Sequence, residues 1–330
     1  MDDSQKKADD PTGSATQIDT SLVDRVAKSI VDTLVFSSEP RRAALIPDLG
    51  QVVELIERLN SVVFPIFCAV EQSREIVHQQ LQTEVADVGT LLVNLIRSCI
   101  LRNEESCVAM RKEGRECKDA IARSIELASN VDAISQQLAE SFLQQIPAIR
   151  TSLMTDVQAA YDGDPACQNY DEVILCYPGL TAIMVHRLAH EIYKLEIPFL
   201  ARMMAEWSHA ETGIDIHPGA KIDDYFFIDH GTGVVIGETC QIGKHVKIYQ
   251  GVTLGAISFD KDERGQLVRG SKRHPTIEDH VVIYANATVL GGNTVIGEGT
   301  IVGSSVWITR SVEPRTTVTM KKPSLKEQKS

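Results

Sequence analysis

The chain has 330 residues, 43% of them hydrophobic, and a formal net charge of −12, a length that accommodates about two domains. An acidic balance without any basic cluster argues against a phosphate-backbone partner, so no nucleic acid is expected. No apolar run approaches the roughly 18 residues of a membrane span, so the chain reads as a cytoplasmic protein with no membrane partner.

Met1 to Gln17 is rich in Asp, Lys and Ser and has neither the apolar core of a secretory signal nor the arginine-rich character of a transit peptide. Residues 1–19 are therefore expected to form a disordered tail. A helical domain is expected over 20–212. Its first part, 20–154, carries apolar stripes at helical spacing: Val23, Val26, Ile30, Leu34; Val52, Leu55, Ile56, Leu59; Val85, Val88, Leu92, Leu95, Ile96; Ile121, Ile125, Ala128; and Leu138, Phe142, Ile146. Such stripes are the buried faces of packed helices. Asp48 with Gln51 resembles a capping box. Over 155–212 the punctuation sharpens. Thr155 to Tyr161 reads as a helix stopped by Gly163 and Pro165, Cys176-Tyr177-Pro178-Gly179 as a turn, and Leu180 to Leu195 and Ile197 to His209 as further helices. The seven cysteines (Cys68, Cys99, Cys107, Cys117, Cys167, Cys176, Cys240) are odd in number and scattered, with no C-x-x-C pair, which points to reduced structural thiols.

From residue 213 the period changes to six. Aliphatic residues recur at Ile216, Ile222, Ile228, Ile236, Ile242, Ile248 and Leu254, and again at Ile277, Ile283, Val289, Ile296, Val302 and Ile308. Six suits neither a helix nor a simple strand. It suits a coil of short parallel strands with one inward side chain per repeat, the hexapeptide β-helix. The fold class is therefore α + β: an N-terminal all-helical domain followed, over 213–318, by a left-handed parallel β-helix; residues 319–330, rich in Lys and Ser, are expected to be a disordered tail.

Breaks in a rigid repeat expose what they carry. Ile228 to Ile236 is two residues too long, and the surplus falls in Asp229-His230-Gly231-Thr232-Gly233. A longer break, 256–276, holds eight charged residues and two glycines, a loop length that is usually functional or disordered. A third slip, at Gly291-Gly292-Asn293, has no titratable group and reads as structural. His230, accessible and able to ionise near neutrality, is a candidate general base. Asp215 lies fifteen residues earlier, and a triangular coil takes about eighteen per turn, so it can approach His230 from the adjacent coil and support the imidazolium. Neither a Gly-x-Ser-x-Gly elbow nor a reactive cysteine context is present, so a substrate hydroxyl or amine would attack directly.

The run 215–220 (DIHPGA), then 228–239 (IDHGTGVVIGET), 250–255 (QGVTLG) and Arg273-His274-Pro275 resembles the serine O-acetyltransferase family. Upstream, 155–161 (TDVQAAY), Gly163-Asp164-Pro165 and 186–190 (HRLAH) are similar to its helical-domain motifs, so the resemblance covers about 154–318. It implies transfer of acetyl from acetyl-CoA to the hydroxyl of L-serine, giving O-acetylserine for cysteine synthesis. It further implies His230 as general base with Asp215 as its partner, Asp164 and Asp229 holding the amino acid through its ammonium, and Arg273 gripping its carboxylate. His274 would line the same pocket, and the backbone would approach acetyl-CoA at Ala256 and Ala285. Acetyl-CoA would act as co-substrate, with no permanently bound cofactor and no metal; L-cysteine would inhibit by feedback. The chains would form trimers or dimers of trimers with sites between neighbours. Two departures stand out: the 256–272 loop is longer than in many members, and the tail does not end in the isoleucine that inserts into O-acetylserine sulfhydrylase, so that complex is not expected.

Other readings of the same residues remain. A hexapeptide-repeat acyltransferase acting on a sugar hydroxyl would keep His230 but need neither Asp164 nor Arg273. A non-catalytic assembly module would leave His230 and Asp215 dispensable. A metal-dependent hydratase would need converging histidines, for which His230, His245 and His280 are available. His186 and His190 could share a helix face toward a metal, but Arg187 stands where H-E-x-x-H has its glutamate, so packing is expected. His217, before a proline, is expected to order its turn.

Overall fold

The computed structural model describes residues 26–29, 47–65, 73–112, 130–258, 265–268 and 270–321, with backbone alone over 104–112. The expected tail at 1–19, the stripe residues Val23, Ile30, Leu34, Ile121, Ile125 and Ala128, and everything beyond 321 lie outside these. The chain divides into Met1–Ala43 and Ala44–Ser330. Of the first unit only a helical turn at 26–29 is described; the seven helices and fourteen strands named below all belong to the second.

The 3.6-residue stripes become helices. In α1 (Leu49–Val63), Val52, Leu55, Ile56, Leu59, Val62 and Val63 are buried, and Asp48 caps the start by accepting the N–H of Gly50 at 2.9 Å. The long α2 (Arg74–Lys112) buries Val88, Leu92, Leu95 and Ile96, and packs between α1 and α3 (Val131–Leu143). Leu138, Phe142 and Ile146, one stripe by spacing, fall on two helices. The chain breaks at 144–145 and restarts as α4 (Ile146–Gly163), where Pro147 in the first turn loses no helical hydrogen bond. After α5 (Tyr170–Cys176), α6 begins at Pro178 and runs to Lys194, and α7 (Leu200–Thr212) ends on Gly213 in the left-handed region at φ +70°. Among the described residues no single helix is long and apolar enough to cross a membrane.

The six-residue beat becomes a parallel β-helix of three sheets. Sheet A stacks β1 (Asp215–Ile216), β4 (Val235–Ile236), β7 (Thr253–Gly255), β10 (Thr288–Leu290) and β13 (Trp307–Ile308). Sheet B stacks β2 (Lys221–Ile222), β5 (Gln241–Ile242), β8 (Thr276–Ile277) and β11 (Val295–Ile296). Sheet C stacks β3 (Phe227–Asp229), β6 (Lys247–Tyr249), β9 (Val282–Ile283), β12 (Ile301–Val302) and β14 (Thr317–Val318). The register pairs like with like: Ile216, Ile236, Leu254, Val289 and Ile308 form one internal column. Ile222, Ile242, Ile277 and Ile296 form a second, and Ile228, Ile248, Ile283, Val302 and Val318 a third. Each strand bonds to the coils above and below, so two or three residues suffice to satisfy its backbone.

The helices dock on the first coil through one buried ion pair. Arg187 of α6 grips Asp156 of α4 with Nε to Oδ2 at 2.6 Å and Nη2 to Oδ1 at 2.8 Å, and also donates to the carbonyls of Ile222 and Asp223. Asp156 accepts the N–H of Phe226 at 2.9 Å, and Thr155 accepts that of Tyr225. The 222–226 segment, which leads directly into β3, is thus set by α4 and α6. Gly179 lets α6 lie against β3, since a Cβ there would sit 2.3 Å from the Ile228 carbonyl oxygen. The Asp156 side chain is 1% exposed, so removing it strands a guanidinium in the interior. Asp156→Ala is expected to lower stability by about 3–5 kcal/mol, read as a lower urea midpoint; a loss under about 1 kcal/mol, the scale of a surface pair, would show that this contact does not hold the helices in place.

Candidate active site

Each coil turns three corners, and the residues expected to form the substrate site gather at two of them. The corner between sheets C and A takes the two surplus residues. There His230 stands in the left-handed region at φ 59°, with its side chain 71% exposed, a conformation that histidine adopts more readily than most side chains. Gly231, at φ +81°, brings the chain against Ile214, whose Cδ1 lies 2.4 Å from where a Cβ would be, so the bulge is pressed outward and His230 with it. His230 Nε2 lies 3.7 Å from Asp229 Oδ1. Asp164, the residue that ends α4, reaches the same corner close enough for its charge and that of His230 to act on each other. Tyr177 donates to Asp164 Oδ2 at 2.6 Å and the Ala166 N–H to Oδ1 at 2.9 Å, and these bonds, Tyr177's first, hold the carboxyl below the usual range. Burial and the same carboxylate keep the Tyr177 hydroxyl protonated. Lys247 of β6 completes the corner, with Nζ 3.1 Å from Asp229 Oδ2 and 2.7 Å from the Gly163 carbonyl.

Asp215 is placed on the coil above. Its N–H donates to the Val234 carbonyl at 2.9 Å and it pairs with Val235, just past the bulge. Among the described residues no hydrogen bond joins it to His230, whose near carboxylate is its neighbour Asp229. Ala285 belongs to this corner too: the pairing of Asp229 with Tyr249, and of Ile248 with Ile283, stacks His230, Gln250 and Ala285 on successive coils.

Arg273 and His274 do not join them. The long break after β7 brings them back to the corner between sheets A and B, one strand of sheet A away from His230. There Thr239 Oγ1 accepts the N–H of Arg273 at 2.9 Å and of His274 at 3.0 Å. The His274 ring lies over Gly237, where a Cβ would meet it at 2.1 Å. Glu238 accepts from both Arg273 and Tyr193; burial pushes its carboxyl up, but these bonds outweigh it and hold it below its ordinary range. Ala256 shares this corner, since Ile236 pairs with Leu254 and so Glu238 with Ala256 in register. His217 accepts the Gly219 N–H at 3.0 Å and orders its turn as expected. His190 Nδ1 lies 2.7 Å from the Pro218 carbonyl, and buried His186 is held neutral by desolvation. His245 and His280 stack on each other at 4.7 Å at the third corner, apart from His230, so the three histidines do not converge.

Lys247 lies outside every motif read from the sequence, and Tyr177, Glu238 and Thr239, though inside such runs, carry no role there: their roles arise from what they face in the fold. Thr239 leaves the clearest chemical mark. Its backbone N–H donates to His274 Nδ1 at 3.0 Å, so that nitrogen is an acceptor and Nε2 carries the proton. Burial, with Arg273 beside it, pushes the His274 imidazolium pKa down to about 4. The corner pair thus offers one fixed cation, Arg273, and one neutral N–H donor. The other corner offers an exposed imidazole near two carboxylates.

The chain is similar to known proteins of one family. A family profile described as serine acetyltransferase, N-terminal, matches residues 77–185, reaching well before residue 154, where the motif resemblance begins. A curated relative from Synechococcus elongatus, a plasmid-encoded serine acetyltransferase, is 61% identical over 178 residues, covering 54% of this chain and 56% of its own length. The chain thus spans little more than half of that relative. Among solved structures, serine acetyltransferase 1 of Entamoeba histolytica in complex with L-cysteine is 36% identical with a TM-score of 0.64, covering 81% of this chain and 86% of the other. Isoform 3 from the same organism, in complex with cysteine, is 29% identical with a TM-score of 0.65, covering 94% and 96%.

The His274 assignment carries a pH dependence. An unfolded histidine takes up its proton near pH 6.5, the folded His274 only near 4. Between those values the unfolded chain binds more protons, so the stabilisation is complete above about pH 6.5 and is lost as pH falls toward 4. Imidazole NMR should show His274 as the neutral Nε2–H tautomer at pH 5.5; a cationic ring at that pH would contradict the Thr239 geometry.

Proposed function

Because the chain belongs to the serine acetyltransferase family, we propose that it transfers the acetyl group of acetyl-CoA to the hydroxyl of L-serine, releasing CoA and O-acetyl-L-serine. The observation that carries this reading is the exposed His230 set beside Asp229 and Asp164, a base next to two carboxylates suited to an ammonium.

The chemistry follows from those groups. Asp164 and Asp229 receive the ammonium of serine, which points its hydroxyl at His230. The ring takes the hydroxyl proton as Oγ bonds to the thioester carbonyl carbon; the tetrahedral adduct collapses, the C–S bond breaks, and the imidazolium returns the proton to the CoA sulfur. Asp215, above the same corner, is the carboxylate toward which the exposed ring turns when it becomes cationic. Arg273 binds the substrate carboxylate with guanidinium N–H groups beyond the one that Glu238 accepts, and His274 adds the Nε2–H donor.

These two sets sit at different corners of one chain, separated by a strand of sheet A, so a single copy offers half a site at each. Two copies placed corner to corner complete it, and three such contacts close a ring, the trimer that supports this activity. Ala285 at one corner and Ala256 at the other then flank the shared cleft, and their small side chains leave room for the acetyl-CoA arm. L-cysteine has the shape of L-serine with sulfur for oxygen, and both Entamoeba structures contain it; here it competes for the serine site as a feedback inhibitor.

A thiol-release assay with acetyl-CoA tests the proposal. L-serine should elicit CoA release, and a sugar acceptor should not; absence of serine-dependent release at millimolar substrate would overturn it. His230→Ala should lower kcat by about 10²–10⁴-fold with acetyl-CoA binding retained, and a near-normal rate would remove the base assignment. Arg273→Ala should chiefly raise the KM for serine, by about 10–100-fold for lost bonds to a charged group; an effect on acetyl-CoA alone would contradict its role.

A further inference from the structure

Lys247 has no task in that reading, yet it is built into the His230 corner more firmly than a surface lysine. Its side chain is 19% exposed. Its ammonium has three donors, of which Asp229 Oδ2 at 3.1 Å and the Gly163 carbonyl at 2.7 Å take two. The rest of the group lies over two aromatic faces, 4.8 Å from the Phe227 centroid and 4.6 Å from that of Tyr249, where a cation is attracted by the ring quadrupoles. Three elements meet at this one nitrogen: the end of α4, the end of β3, and β6.

Both protein partners adjoin residues of the proposed site. Gly163 precedes Asp164, and Asp229 precedes His230, so Lys247 joins the two carboxylates that are to hold one substrate ammonium. Charge points the same way. Two carboxylates facing one ammonium leave a surplus negative charge beside His230, and a neighbouring negative charge stabilises the imidazolium. Lys247 offsets that surplus.

We propose that Lys247 is a positioning residue that sets the spacing of Asp229 and Asp164 and keeps His230 unprotonated, and so able to act as base, to lower pH than those carboxylates alone would permit. The inference rests on the serine-acetylating reading above. The charged and titratable groups around His230 are Asp229 beside it, Asp164 with Tyr177 bonded to it from the helical side, and Asp215 on the neighbouring strand of sheet A, with Lys247 of β6 bonded to Asp229. Lys247 itself faces Asp229, Asp164 and Tyr249. Burial alone would push its ammonium down, but its contacts with Tyr249 and Asp229 outweigh burial and hold it above the ordinary lysine range, so it stays cationic throughout the neutral pH range. Removing that cation favours the protonated imidazole, which moves the acid limb of the pH profile upward.

The test is the acid limb of kcat/KM for L-serine, which reports the free enzyme's base, in the wild-type chain and in Lys247→Met, Lys247→Gln and Lys247→Arg. Met and Gln should shift the midpoint up by about 0.5–1 pH unit, the size of one charge's effect at this range and partial exposure; Arg should leave it in place. Gln retains an N–H for the Gly163 carbonyl, so the shift in that variant does not depend on loss of the fold. A uniformly lower plateau with an unchanged midpoint in Met and Gln would overturn the proposal and leave Lys247 a packing residue. A wild-type chain with no serine-dependent release would instead overturn the reading on which the inference rests.

Discussion

Closure of the coil is the constraint on which everything else in this chain depends. Each face of the β-helix admits one inward aliphatic residue per six, stacked on its equivalent one coil away, as in the column from Ile216 to Ile308. Slipping any strand by one residue would turn that side chain outward and a polar neighbour inward. Extra residues can leave only at the corners. That is why His230 stands clear of the surface on a two-residue surplus, and why Arg273 and His274 arrive at the end of a long excursion.

Much of this is legible in the residues themselves. All thirteen positions of the beat point into the core, because a side chain with nowhere else to go leaves a periodic trace. The stripes of α1 and α2 are equally plain. The break at 144–145 is not, because Leu138, Phe142 and Ile146 keep helical spacing across it while Pro147 restarts the chain. The site is legible in its members and not in its arrangement. Nothing in the spacing from Leu254 to Ile277 says that His274 returns to the corner of Gly237, and Thr239 and Lys247 gain meaning only from the coil they face. Counting residues per turn puts Asp215 near His230; it does lie on the coil above, but the carboxylate nearest the ring is the adjacent Asp229.

The helices are more than an addition to the β-helix. Asp156 and Arg187 fix the 222–226 segment, α6 lies on the backbone of β3 through Gly179, and α4 ends by delivering Asp164 to the His230 corner. The proposed ammonium pocket is therefore half helical and half β-helical, its two carboxylates related by a buried ion pair on one side and by Lys247 on the other. The second half-site, around Arg273 and His274, is held by Thr239 and Glu238 with no helix needed beyond the Tyr193 contact.

Division of the proposed site between two corners is the central claim, and mixing two defective chains tests it most directly. Chains carrying His230→Ala and chains carrying Arg273→Ala would be unfolded and refolded together in equal amounts, and CoA release at serine well below the wild-type KM compared with that of each alone. If one copy's His230 corner works with its neighbour's Arg273 corner, random assembly leaves about a quarter of the contacts intact, and about a quarter of wild-type activity should return. If each chain carries its own complete site, every site in the mixture remains defective, and activity no higher than the mean of the two variants would contradict the account.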